Sequence, residues 1–244
     1  MSATDLYGLT ALPASVGALK PSNTAPNTVP SSSLSPPDTP LAKRVQAYVK
    51  ARLSPDTYRH SMRVYSYGLA IARECFPEWH VEGKLQETWF LTAMLHDIGT
   101  TDAIIGSTRL SYEFWAGVHA LDLLQNPSVS GGEGKAPVEQ AESVAEAIFR
   151  HQDVQDKGQV SLVTQLIQVG TLLDNIGAEV PSKWVTRGTI EGVNAMWPRQ
   201  GWSGCFRGTV EREKALKPYA MVSRIEGFEG MIMANKVTAE GEGN

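Results

Sequence analysis

From Leu41 onward, apolar residues recur at intervals of three and four; before it they do not. Leu41, Val45, Tyr48, Val49 and Leu53 share one face of a helix that the spacing predicts over residues 41–53. Ser54-Pro55-Asp56 reads as the next helix start, with Ser as N-cap, Pro at the first helical position and an acid in the first turn. His60, Val64, Tyr67 and Ile71 then fall on its inward face, and it is expected to stop before Pro77. Residues 85–98 read as a third helix, where Trp89, Phe90, Ala93, Met94 and Leu95 lead into His96-Asp97 and Gly99 is placed to end it. Residues 112–124 (carrying His119), 138–151 and 162–176 follow as helices. After Pro181 the pattern weakens to a helix near 182–196, an aromatic segment through Trp197, Trp202 and Phe206, and a helix near 223–234. No strand pattern of length and no internal repeat is present, so the expected fold class is all-α.

Residues 1–40 break this pattern. Pro21, Pro26, Pro30, Pro36, Pro37 and Pro40 punctuate a Ser- and Thr-rich stretch, which reads as a disordered arm, dispensable for activity, or a regulatory tail. One folded unit is expected over 41–235, with a flexible tail over 236–244 and a surface loop at Gly131-Gly132-Glu133-Gly134. A formal net charge of -4 gives no electrostatic reason to expect a nucleic acid partner. No apolar run approaches the roughly 18 residues that span a bilayer, so no membrane role is expected. The N-terminus has Asp5 and no basic segment ahead of an apolar core, which argues against a secretory signal. Two distant cysteines, Cys75 and Cys205, form no disulfide framework and suit a reduced, cytoplasmic setting.

The chemistry concentrates in His60, His96-Asp97 and Asp174, each on an apolar helix. Buried carboxylates and imidazoles are costly without partners, and a divalent cation satisfies all four while leaving a position for water. His151, on the inward face of its helix, reads three ways: a further ligand, a proton donor and acceptor beside the metal, or a core histidine bonded to a backbone carbonyl. His151 and Asp97 are the candidate catalytic residues. Thr100, Thr171 and Asn175 are candidate substrate-binding residues, although a Thr hydroxyl also caps or back-bonds within a helix. His119 is the candidate for a second metal, and His80 sits in an exposed loop.

His60, His96-Asp97 and Asp174, in this order across helices, resemble the HD-domain metal-dependent hydrolases. The longer stretches 52–64, 145–154, 165–168, 174–175 and 198–202, with Leu95-His96-Asp97-Ile98-Gly99-Thr100, are similar to fungal cyanamide hydratases over residues 41–235. That resemblance implies a helical bundle holding one zinc ion on His60, His96, Asp97 and Asp174, hydration of cyanamide to urea, and a homo-oligomer. The expected reaction has metal-bound hydroxide attacking the nitrile carbon, with the nitrile nitrogen protonated through His151. The same donors also suit iron, manganese or cobalt. His119 falls outside the family pattern. The alternative is an HD-type phosphohydrolase acting on a nucleotide or small phosphate ester. Such enzymes commonly carry a Lys after the HD-Gly segment, where this chain has Thr100, Thr101 and Asp102; an acid there opposes a phosphoryl anion, which Arg63 and Arg109 are left to offset. A third reading is a metal-stabilised scaffold without turnover.

Overall fold

The computed structural model describes residues 3–130 and 134–239. Gly131, Gly132 and Glu133 of the expected loop, and residues 240–244 of the expected tail, lie outside the described residues. The fold is all-α, with one small sheet among the described residues. Its main helices are α1 (Pro40–Lys50), α2 (Pro55–Cys75), α3 (Gly83–Leu95), α4 (Tyr112–Gln125), α5 (Val138–Arg150), α6 (Leu162–Ile176), α7 (Arg187–Met196), α8 (Trp202–Leu216) and α9 (Phe228–Met233). No helix among the described residues is long and apolar enough to cross a membrane.

Local chemistry sets the ends of these helices. Ser54 Oγ accepts the Thr57 N–H at 3.1 Å to open α2, as the Ser-Pro-Asp pattern predicts. Ser161 Oγ accepts the Thr164 N–H at 3.1 Å to open α6, and Gly177 closes it in the left-handed region at φ 59°. α2 and α6 form the centre of the bundle. They approach so closely at Gly170 that a Cβ there would lie 2.9 Å from the Val64 carbonyl oxygen. One turn from this contact along each helix, in opposite senses, lie His60 and Asp174. The close crossing therefore presses those two side chains together.

Two expectations about the architecture are corrected. The aromatic segment after Trp197 contains a fifteen-residue helix, α8, whose Trp202, Phe206 and Val210 recur every four residues. They pack with Tyr112, Val222, Phe228 and Ile232 in a second apolar cluster beside the main core. The sequence shows this stripe poorly because it is narrow and mostly small or polar residues separate its members. The second correction concerns the arm expected to be disordered. Its described part lies along the bundle, burying Tyr7, Ala14, Val16, Leu19, Val29 and Leu34. Strand β1 (Ala11–Pro13) pairs antiparallel with β2 (Gln159–Ser161), Ala11 opposite Ser161. Proline prevents regular helix but not burial, and the extended backbone finds partners on the body. Ser143 Oγ donates to the Tyr7 carbonyl at 2.6 Å, and the Val29 N–H donates to Thr189 Oγ1 at 2.9 Å.

α8 docks against α4 through buried charge. Glu213 Oε1 accepts the Tyr112 N–H at 3.0 Å, while Lys217 Nζ meets Glu213 Oε2 and the Leu110 carbonyl, both at 2.8 Å. Glu113 is buried nearby with both carboxyl oxygens unpartnered. Burial, reinforced by the charges of Glu213 and Asp97, pushes its carboxyl up to about 8.

Two outcomes follow. Deleting residues 1–34 removes six buried apolar side chains, the larger ones worth about 1.5–3 kcal/mol each, and uncovers the surface they pack on, so it is expected to lower Tm by at least about 10 °C; a truncation that melts with the full chain would refute the docking. Between about 4.3, where an unfolded Glu titrates, and about 8, the folded chain binds more protons than the unfolded one, so stability falls as pH rises. Glu113→Gln should therefore gain Tm relative to the parent at pH 8.5 and show little difference at pH 4.5, as read by thermal melts at both.

Candidate metal centre

The centre draws on the ends of four helices. His60 lies in the first two turns of α2, and Asp174 lies near the end of α6. His96 and His151 occupy equivalent places, each capping the C-terminus of its helix, α3 and α5. There the last carbonyls lack intrahelical donors, and each ring uses one. His96 Nδ1 donates to the Ala93 carbonyl at 2.9 Å, and His151 Nδ1 donates to the Ile148 carbonyl at 2.7 Å. His60 Nδ1 donates to Asp174 Oδ2 at 2.6 Å. All three outer nitrogens thus carry a proton, so in the neutral form of each ring the lone pair lies on Nε2. Gly99, three residues after His96, gives space rather than a helix stop: a side chain there would run into the Tyr112 backbone.

His60, His96 and Asp97 converge, and all are buried. Their Nε2 atoms stand 3.3 Å apart, and Asp97 Oδ2 lies 3.3 Å from His96 Nε2 and 3.6 Å from His60 Nε2. Two lone pairs and a carboxylate oxygen at these separations repel unless a positive charge lies among them. A proton on His96 is one source: burial opposes it, but Asp97 and the Ala93 carbonyl outweigh burial and raise the ring's affinity. Burial likewise opposes charge on Asp97, but the imidazoles, His96 foremost, hold the carboxyl well below the usual range. A metal ion is the other source, and the donor set fits one. Ligands about 2.0–2.1 Å from a tetrahedral zinc lie about 3.3–3.4 Å from one another. The cluster can hold such an ion with little rearrangement.

Asp174 does not join that convergence. It sits on the outer nitrogen of His60, where Arg63 Nε donates to Oδ1 at 2.9 Å and Arg63 Nη2 to Oδ2 at 3.0 Å, and Arg199 Nη1 donates to Oδ1 at 2.7 Å. Against the cost of burial, these two guanidiniums and His60 keep it ionised. The expectation of four converging donors thus becomes three, with Asp174 orienting one of them from behind. Sequence reading missed this clamp. Its signal was Arg63, placed three residues after His60 on a buried helix, and Arg199 within the 198–202 stretch.

His151 adjoins the cluster, its ring centroid 5.2 Å from that of His96, and its Nε2 is buried without a partner. Burial, then the neighbouring His96, push its imidazole down to about 3, so it is neutral at physiological pH. His151 also forms part of the floor of a recess of about 200 Å³, where Thr171 and Asn175 are exposed to the cavity. Thr171 Oγ1 spends its proton on the Ile167 carbonyl at 2.8 Å, leaving lone pairs for a ligand. Asn175 Oδ1 accepts from Trp202 Nε1 at 3.0 Å, which leaves its NH₂ to donate. Trp202 also stacks on His60 at 4.2 Å. Tyr112, unflagged in the sequence, accepts from Gln152 Nε2 at 2.9 Å with its ring 5.8 Å from that of His151.

Thr100 lies apart. Its hydroxyl donates to the Asp97 carbonyl at 2.7 Å, and it lines a separate cavity of about 710 Å³ that shares no residue with the first. His119 lines that larger cavity too, bonded to Tyr48 Oη at 2.7 Å and stacked on Trp115, outside the His60–His96–Asp97 group.

No family model matches the chain. Two curated proteins of Saccharomyces cerevisiae, cyanamide hydratase DDI2 and cyanamide hydratase DDI3, are each 32% identical to it over 230 residues, covering 94% of this chain and 96% of each relative.

Asp174→Asn should weaken metal binding about 10–100-fold, the usual effect of losing a carboxylate behind a ligating imidazole. It should also lower Tm, because two buried guanidiniums lose their counter-charge. Competition with a calibrated chelator measures the first. A loss of four orders of magnitude or more would make Asp174 a direct ligand.

Proposed function

The chain belongs to the cyanamide hydratase family, and from that premise we propose that it hydrates cyanamide to urea, with zinc held by His60, His96 and Asp97. The observation that carries the reading is the set of buried, unpartnered donors: Asp97 Oδ2 within the cluster, and His151 Nε2 between it and a small recess. A zinc ion bound there supplies water acidic enough to ionise near neutral pH; iron, manganese and cobalt suit the same donors.

The rest of the reaction falls to the chain. Water adds across the nitrile: a C–O bond forms, one C≡N π pair moves onto nitrogen, and the proton released by water ends on that nitrogen. His151 Nε2, neutral and aimed inward, takes that proton and returns it. Fixing Nδ1–H on the Ile148 carbonyl keeps the ring in the tautomer this requires. The Asn175 NH₂ donates to the nitrile nitrogen, and the Thr171 hydroxyl oxygen accepts from the amino end. The isourea product tautomerises to urea. The HD-type relationship, a homo-oligomer and a cytoplasmic setting belong to the same proposal.

A phosphate ester has less support as substrate. Arg63 is buried and committed to Asp174, so it offers no free guanidinium to a phosphoryl group.

Urea release from cyanamide by zinc-loaded protein, run beside a phosphate-release panel, tests the reading. His151→Ala is expected to keep its metal and lose roughly 10²–10⁴-fold in rate, whereas His96→Ala should lose both. Metal content and turnover on the same preparations separate the two; a metal-free His151→Ala protein would move His151 into the ligand set.

A further inference from the structure

The recess that ends on His151 is larger than cyanamide needs. Its volume of about 200 Å³ matches about six or seven water molecules at roughly 30 Å³ each. A linear molecule of three heavy atoms fills less than half of that. The space left over is apolar. Beyond His151, Thr171 and Asn175, much of the wall comes from Ile225, Phe228 and Met231 of the C-terminal segment.

Exposure orients the recess. His151 is 1% exposed and Phe228 3%, whereas Met231 is 44% exposed and Val154, across the lining, 43%. The polar groups therefore lie at the floor and two apolar side chains form the rim. The inner wall is stiff: Phe228 packs edge-on against Phe206, Phe206 stacks on Trp202, and Trp202 stacks on His60. Met231, flexible and at the opening, is the wall residue free to set the passage.

We propose that the site accepts cyanamides carrying one small alkyl group on the amino nitrogen, and that Met231 limits the size of that group. The inference rests on the hydratase reading. A mono-N-alkyl cyanamide keeps one amino N–H for the Thr171 oxygen and turns its alkyl group toward the apolar rim. Its hydration follows the same balance: one C–O bond forms, one π pair moves to the nitrile nitrogen, that nitrogen takes the proton water gives up, and tautomerisation yields the N-alkylurea.

The test compares cyanamide with N-ethylcyanamide on full-length, zinc-loaded protein, reading kcat/KM for urea or N-ethylurea and Kd by calorimetry. The parent chain is expected to bind and hydrate both. Met231→Trp should lower the N-ethylcyanamide to cyanamide ratio at least tenfold, in kcat/KM and in Kd alike, and Met231→Ala should hold or raise it. The rim position lets both variants fold, and thermal melts check that. A parent chain that hydrates cyanamide but neither binds nor turns over N-ethylcyanamide overturns the proposal, as does a ratio that neither variant moves. A protein that makes no urea from cyanamide, yet binds N-ethylcyanamide with an affinity that Met231→Trp weakens, upholds the recess as an alkylcyanamide site and removes the hydratase reading instead.

Discussion

A single buried carboxylate organises the molecule. Asp174 is fully buried and ionised, so it requires positive charge, and it receives that charge from Arg63 on α2 and Arg199 in the turn before α8. Its third partner is His60. Its main-chain carbonyl accepts from Arg199 and from Asn235, which follows α9. One residue thereby joins the central helix pair to the C-terminal third of the chain. Both guanidiniums go to Asp174, whereas Asp97 has the imidazoles of His60 and His96 beside it. Such an arrangement gives little net stability over apolar packing, but it tolerates few alternatives, because losing any member strands a charge in the interior.

Much of this was legible before any coordinates. The 3.6-residue period located α1 to α6, and Ser54-Pro55 fixed one helix start to the residue, because capping is local chemistry. The candidate residues were legible too, since His and Asp on apolar helix faces stand out. Their partition was not. Whether Asp174 points into the cluster or sits behind His60 depends on the crossing of α2 and α6, which Gly170 sets through a contact 106 positions away in sequence. Thr100 and Thr171 both adjoin candidate ligands in sequence, yet they line different cavities. Sequence proximity to a site says which helix end a residue belongs to, but not which side of it. The arm misled for another reason: proline content reports the absence of helix, and burial of an extended chain leaves no periodic mark.

Helix termini serve the centre more than helix faces do. His96 and His151 each sit where a helix has spare carbonyls, and each turns one into a tautomer lock. An imidazole in mid-helix would find those carbonyls already bonded. The same device supplies one nitrogen to the cluster and another to the recess.

The small sheet has a consequence for how the chain is made. Ala11 pairs with Ser161, so the N-terminal strand leaves the ribosome about 150 residues before its partner exists. At roughly 5–20 residues per second that is a wait of about 8–30 s, during which β1 has no strand to pair with. The six prolines that follow suit this interval, because they keep the nascent segment extended and poor at pairing with itself or with other chains. This strand is thus made well before its partner and pairs only after the chain has been extended through β2.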